Sequence, residues 1–229
     1  MIARGVAAKV GIAAAAAPTS PPLGDLRFRR LVGEADWVTL PEAVRARFAH
    51  RAAGGHVILY AGEIVEAQRS RCGWWLTQAA RLVGAPLPLG CEIGVPAAVS
   101  VTEDPATGGQ CWTRIYGRRR GFPQAIHSAK RFAGPTGLEE YLGLGFGIAL
   151  VLRVEAGALH FDSDHYFLRI GSVRLRLPHW LAPGRMRVSH VDLGDGQFAF
   201  ILALHHPWLG ALVHQVGIFH ERPERGDAP

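Results

Sequence analysis

The sequence predicts a mainly β (α+β) protein: a curved antiparallel sheet or β-barrel of about nine strands, with two helices near the front. Three observations carry this. After residue 90 the chain is a succession of runs rich in β-branched and aromatic residues, which is strand composition. The joints between them, such as "EAGA", "LGDG" and "HPWLG", are short, and short joints connect antiparallel neighbours. No long helical pattern alternates with these strands, which argues against a doubly wound parallel sheet.

At 229 residues, 48% hydrophobic and 19% charged, the chain has the composition of a globular protein. It is long enough to bury a core without disulfides or a structural metal. Residues 1–22, "MIARGVAAKVGIAAAAAPTSPP", read as a flexible Ala/Pro-rich extension. Their basic start and small apolar run also imitate a secretory leader, but alanine is weakly apolar for that role. Residues 23–221 are expected to form one barrel-like domain and 222–229 a disordered tail. No apolar run reaches the ~18 to 20 residues of a transmembrane helix, so no membrane span is expected. The net charge is +6, from arginines that are mostly scattered. The one compact cluster, Arg118 to Arg120 in "GRRRGF", reads as a solvated turn and falls short of a nucleic-acid stripe, so no nucleic-acid partner is expected. Cys72, Cys91 and Cys111 are odd in number and far apart, neither a disulfide framework nor a zinc signature. A reducing, cytoplasmic setting is the simpler reading.

The elements follow in order. "TLPE" offers Thr39 and Glu42 as a capping box, with Leu40, Val44 and Phe48 on one apolar stripe of a helix over residues 40–52. "HVILYAGEIVEAQR" is a strand. "SRCGWWLTQAARLVG" switches to helical spacing, with Trp75, Ala79, Leu82 and Val83 on one face and Trp74–Trp75 as an anchor to the sheet. "EIGVPAAVSVTE" and "QCWTRIYG" flank the turn "DPATGG" as a hairpin, and "QAIHSAKRFA" is another strand. "GPTGLEEYLG" reads as a short helical insert capped by Thr136 and Glu139. "GFGIALVLRVEAG", "ALHFDSDHYFLRIG", "VRLRLP", "RMRVSHVDLG", "GQFAFILALH" and "ALVHQVGIFH" complete the strands.

Candidate site residues come from polar side chains within apolar strands. A four-residue loop at 207–210 would place Phe198, Phe200, Leu202, Leu204, Val213 and Gln215 on one face of the last hairpin. The other face would carry His205 and His214 among small and branched residues, as a cavity wall does. His190 and Asp192 share a face of the preceding strand. Alternation also groups Trp112, Arg114 and Tyr116, with Arg131 on the next strand and Glu155 as a possible ion-pair partner of these arginines. Asp162 and Asp164 fall on one face, but no acid partner is in view. Two strand histidines do not make a metal site, so none is expected. Nor does any cofactor motif occur, so no cofactor is expected.

The segments "LPEAVRARF", "GEIVEAQRS", "CWTRIYG", "GLEEYLGLGFGIALVLRVEAGALHFDSDHYFL", "LPHWLAP" and "HVDLGDGQFAFILALHHPWLGALVHQVGIF" give the chain a wider resemblance. It resembles the bacterial domain-of-unknown-function family serially numbered 4166. That family occurs alone and behind saccharopine-dehydrogenase-like reductase domains. This chain lacks their Gly-x-Gly-x-x-Gly start and resembles the free-standing form. The resemblance implies a possible reductase partner and supplies no catalytic residues. Two functions are then open. One is binding of an apolar or amphipathic, lipid-like small molecule in a barrel cavity, fixed by Arg114, Tyr116, Arg131, His190, His205, His214 and Gln215. The other is a small-molecule lyase, isomerase or hydrolase with His190 or His214 as base and Arg114 as anion anchor.

Overall fold

The computed structural model describes residues 23–84 and 86–222. The expected extension over 1–22 and the tail beyond Arg222 lie outside the described residues. Two short strands, β1 (Leu23–Gly24) and β2 (His50–Arg51), pair apart from the main sheet. The main strands are β3 (Ile58–Arg69), β4 (Val95–Asp104), β5 (Gly109–Tyr116), β6 (Gln124–Arg131), β7 (Glu139–Gly143) and β8 (Phe146–Glu155). They continue with β9 (Ala158–Ile170), β10 (Val173–Arg176), β11 (Arg185–Gly194), β12 (Gln197–His206) and β13 (Gly210–Arg222). The hydrogen-bonded order is β9–β11–β12–β13–β3–β4–β5–β6–β7–β8, and β8 pairs with β9 again. Ten strands therefore close an antiparallel barrel, which removes the exposed edges that an open sheet leaves. Of the main sheet's strands, β10 alone stands outside the ring, as a hairpin partner of the last residues of β9.

Alternation decides which side chains enter. Val95, Ala97, Val99 and Val101 of β4 are buried, as are Trp112, Arg114 and Tyr116 of β5 and Phe198, Phe200 and Leu204 of β12. Outward positions carry charges such as Arg153, Asp162 and Arg187, which pair with one another. An apolar inside and a charged outside is the reverse of a membrane-spanning barrel. The tight joints Ala156–Gly157 (φ 50° and 75°) and Asp195–Gly196 (φ 51° and 73°) have the left-handed backbone that two-residue hairpins require.

Helices close the two ends. At one, α1 (Arg27–Val32), α2 (Glu34–Trp37) and α3 (Glu42–Phe48) bury Phe28, Val44 and Phe48. Phe28 meets Phe48, Phe132 and Phe161 edge-on, with ring centroids 5.2, 5.0 and 6.1 Å away. At the other end lie α4 (Arg71–Ala79) and a 3-10 turn over Ala80–Val83. Ser70 caps α4 by accepting a hydrogen bond from the Gly73 N–H at 3.1 Å. Gly73 then packs directly on β13: a Cβ there would lie 2.0 Å from the Leu212 carbonyl oxygen.

Several local expectations are corrected. The stripe Leu40, Val44 and Phe48 is buried as expected, but the helix spans only Glu42–Phe48, β2 takes His50–Arg51, and the Thr39–Glu42 box does not form. Thr39 donates to the Asp36 carbonyl at 2.7 Å, closing α2, and Pro41 occupies the cap of α3. α4 buries Gly73 and Thr77 rather than the face of Trp75, Ala79 and Leu82, because only glycine permits the close approach to Leu212. Trp74 and Trp75 are therefore exposed and anchor nothing to the sheet. "GPTGLEEYLG" is not a helical insert: Glu139 and Glu140 open strand β7, each held by cations. Thr136 donates to the Leu138 carbonyl at 3.0 Å instead of capping. In the last hairpin Leu204 faces Val213 and Ala203 faces His214 as predicted, but a bulge then pairs His205 with Ala211. The loop is three residues, 207–209, not four.

Candidate functional site

The barrel interior holds a charged cluster in an otherwise aromatic core. Arg114 of β5 and Lys130 of β6 both point inward, and both meet Glu140 of β7. Arg114 donates to Glu140 Oε1 at 2.8 Å and to Ser128 Oγ at 3.1 Å; Ser128 itself donates to Glu140 Oε1 at 2.6 Å. Lys130 Nζ lies 3.3 Å from Glu140 Oε2 and 4.4 Å from the centroid of Trp112, a cation–π contact. All four side chains are buried.

Two cations thus face one carboxylate in a medium that solvates charge poorly. Burial alone would raise the Glu140 pKa. The charges of Lys130 and Arg114 and the hydrogen bonds from Ser128 and Arg114 outweigh it and hold the group down at about 2. Burial lowers the Lys130 pKa to about 8; attraction to Glu140 opposes this and repulsion from Arg114 reinforces it. His190 of β11 is held neutral, its pKa pushed well below the usual imidazole range by burial and by the charges of Arg47, Lys130 and Arg114. Its ring stacks on Phe198 at 5.8 Å and meets Phe48 and Phe200 edge-on at 4.9 Å each. Its Nδ1 is buried without a hydrogen-bond partner.

Large buried side chains, Phe161, Phe198, Phe200 and Phe219 among them, occupy much of the interior, and an inward space lies at the α4 end. There a cavity of about 210 Å³ is lined by Leu76, Leu87, Leu142, Tyr166, Met186 and Leu204, among others. A smaller space of about 30 Å³ shares Leu87, Leu142 and Met186 with it and is lined further by Arg114 and Glu140. The apolar cavity and the charged cluster therefore lie on either side of a shared wall of Pro86, Leu87, Leu142 and Met186. The segment over this site is pinned from both sides. Gln124 donates to the Leu87 carbonyl at 3.0 Å and accepts from the Leu89 N–H at 2.8 Å, while Arg69 donates to the Leu89 carbonyl at 2.7 Å.

Of the sequence-predicted site residues, Arg114, Tyr116, His190 and Gln215 face inward. Arg114 lines the space beside the cavity, and Tyr116 lines it too. Gln215 and Tyr116 border a separate space of about 20 Å³, and His190 sits in the aromatic packing below. The remaining three lie on the outer wall: His205 and His214 because the phenylalanine-rich face of the last hairpin is the inner one, and Arg131 because Ile126, Ser128 and Lys130 take the inner positions of β6. Arg131 pairs with Asp104 at 3.2 Å and covers Tyr141. His205 is exposed, and His214 lies 3.6 Å from Glu66. Histidines 190 and 214 therefore do not converge on one substrate.

Glu155 pairs with Arg187 at 2.9 Å, not with Arg114 or Arg131. Asp162 accepts two hydrogen bonds from Arg187, at 2.7 and 2.8 Å. A bulge opposite Ala149 and Leu150 interrupts the alternation between Asp162 and Asp164, which bonds His165 at 2.6 Å; both carboxylates border one outer depression with Arg153 and Arg187. Glu155 and Asp162 are committed to ion pairs, and Asp164 to a hydrogen bond with His165. Sequence reasoning missed Ser128, Lys130 and Glu140. For the first two the signal was present, since Ile126, Ser128 and Lys130 alternate in phase with Arg114's inward face. Among the described residues no cluster of three or more His, Cys, Asp or Glu has metal-binding geometry, and no helix is long and apolar enough to cross a membrane.

Neither a curated protein nor a solved structure matches the chain. A family model does, over residues 40–219, a span that runs from the buried Leu40 beside α3 to Phe219 on the inner face of β13 and so takes in the whole ring and its cluster. The protein belongs to the family described as domain of unknown function DUF4166.

Proposed function

We propose that the barrel binds one small amphipathic molecule, with its apolar body under α4 and an anionic end toward Arg114. The observation that carries this is the adjacency, across Leu87, Leu142 and Met186, of an apolar cavity to a cluster in which cations outnumber carboxylates two to one. An anion entering beside Arg114 balances the surplus charge and replaces lost hydration in a dry setting. The cavity limits the ligand's size. At roughly 30 Å³ per water-sized unit, 210 Å³ accepts on the order of seven such units, the body of a short- to medium-chain acid. Arg114 and Tyr116 serve as the polar fixers in this reading. His190 and Gln215 support the packing around them.

The test is calorimetric titration of the full chain with straight-chain carboxylates of about four to ten carbons, each against the matching alcohol. We expect carboxylates to bind at least tenfold tighter than alcohols, with an optimum in chain length. Leu142→Trp, which fills the cavity and leaves the charges in place, is expected to abolish binding. Equal affinity for acids and alcohols, or no heat with any of them, overturns the proposal.

A further inference from the structure

Where the opposite end of the barrel exposes aliphatic side chains such as Leu26, Val38 and Leu193, the connections at the α4 end expose larger and mostly aromatic ones. Large apolar side chains sit at the tips of five separate connections there. Trp75 and Leu82 (69% and 78% exposed) belong to α4 and its 3-10 turn, Phe122 (91%) to the β5–β6 joint, and Leu144 (76%) to the β7–β8 turn. Trp180 (69%) precedes β11, and Trp208 (79%) lies in the β12–β13 loop. With Trp74, four of the chain's six tryptophans are exposed on this one rim.

Charge is polarised the same way. Segments 70–94, 117–123, 144–145, 171–172, 177–184 and 207–209 contain Arg71, Arg81, Arg118, Arg119 and Arg120 against a single carboxylate, Glu92. The helices at the other end mix signs, with Asp25, Glu34, Asp36 and Glu42 among their arginines, and bury Trp37.

From this we infer that the α4 rim docks on an anionic lipid surface. Tryptophan and arginine are the side chains that settle at a bilayer's headgroup level, the first by its amphipathic ring and the second by charge. Several apolar fingertips at one end, separated by cations, suit insertion between headgroups at a common depth. A protein partner would call for a continuous packed face. The rim is also continuous with the cavity, since Leu181, half-exposed beside Trp180, lines it. The rim carries this inference by itself, and the outcome of the carboxylate titration does not decide it.

The test uses the full chain with vesicles of phosphatidylcholine alone or with about a third phosphatidylglycerol, read by co-sedimentation and by a blue shift of tryptophan emission. Each arginine near such a surface strengthens partition about fivefold at low salt. R118S/R119S/R120S is therefore expected to lose at least tenfold on anionic vesicles, a difference that closes in about 0.5 M salt. Trp180→Ser with Trp208→Ser is expected to lose at least tenfold and most of the blue shift. Val38→Ser, exposed at the opposite end, changes neither. All these positions are exposed, and unchanged circular dichroism and Tm confirm folding. Equal partition onto neutral and anionic vesicles overturns the inference, as does no sedimentation at low salt. An equal loss with Val38→Ser, or a lipid-free dimer that itself buries the tryptophans, does the same.

Discussion

Replacing Lys130 with methionine is expected to make the protein more stable. The ammonium lies in the barrel core with a pKa of about 8, against 10.5 for the free side chain. The depression means that carrying the proton in the folded state costs free energy at neutral pH. At about 1.36 kcal/mol per pKa unit, the difference corresponds to about 3 kcal/mol. Methionine has nearly the same length and no charge to desolvate, and Glu140 keeps Arg114 and Ser128 as partners. The variant forfeits the cation–π contact with Trp112, worth about 1 kcal/mol. The net gain at pH 7 is about 2 kcal/mol, or about 4–8 °C in Tm for a domain of this size.

The pH dependence supplies the sharper check. Between the folded pKa near 8 and the unfolded value near 10.5, the unfolded chain holds a proton that the folded one has released. Wild-type stability therefore rises with pH in that window, by about 2 kcal/mol from pH 7 to 9.5, and Lys130→Met is flat there. Above pH 10 the buried Tyr60, Tyr116 and Tyr166 act in the opposite sense, since burial raises their folded pKa. Urea unfolding followed by tryptophan fluorescence at pH 7 and 9.5 measures both effects, provided the m-value is unchanged. A variant less stable than wild type at pH 7 by about 2 kcal/mol or more would refute the reasoning. It would show that the lysine is a net structural support.

Glu140→Gln is expected to cost about 3–5 kcal/mol, because it leaves Arg114 and Lys130 buried without a counter-charge; equilibrium unfolding at pH 7 reads it directly. For the same carboxylate the folded pKa of about 2 lies below the ordinary 4.5. Its contribution is therefore complete above pH 4.5 and is lost as pH falls toward 2, which acid titration of the wild type against Glu140→Gln resolves. Gly73→Ala is expected to lift α4 off β13, since its Cβ would meet a carbonyl oxygen; proteolysis near residues 71–84 should accelerate well before global unfolding. His205→Ala and His214→Ala on the outer wall are expected to leave carboxylate binding unchanged and stability within about 0.5 kcal/mol.

Much of the barrel was legible in the chain because alternation and glycine joints are local signals. Phe198, Phe200, Leu202 and Leu204 declare a shared face by spacing alone, and Ala156–Gly157 and Asp195–Gly196 mark their turns. Which face is inside was not legible. The last hairpin offered one face of phenylalanines and another of small residues with histidines, and both are compatible with a lined cavity. The aromatic face faces the axis because the interior is largely filled, and filling it takes the large rings. β7 was misread because "LEEYL" has no strong preference of its own; its conformation is fixed by Arg114, Lys130 and Arg174, three cations from other strands. Bulges are hidden for a similar reason. One extra residue in β12–β13 or in β9 shows only when its partner strand is in place. The site could be approached through Arg114, but the surplus charge that gives it meaning emerges only when β5, β6 and β7 lie side by side.

The ring does not close equally firmly all the way round. β12 joins β11 along nearly its whole length, whereas β9 and β11 meet only from Arg187–Asp162 to His190–Leu159. Above that short run the two strands part, and β10 takes over as β9's companion. The Met186 N–H is bonded there to the Ser163 hydroxyl at 2.9 Å, a side chain standing in for a ladder. Met186 is also a wall of the cavity. One of the shortest ladders of the ring thus stands beside the apolar hollow under α4. Parting it breaks few backbone bonds, which makes this slot, more than the pinned segment over the top, the doorway that the proposed ligand would use.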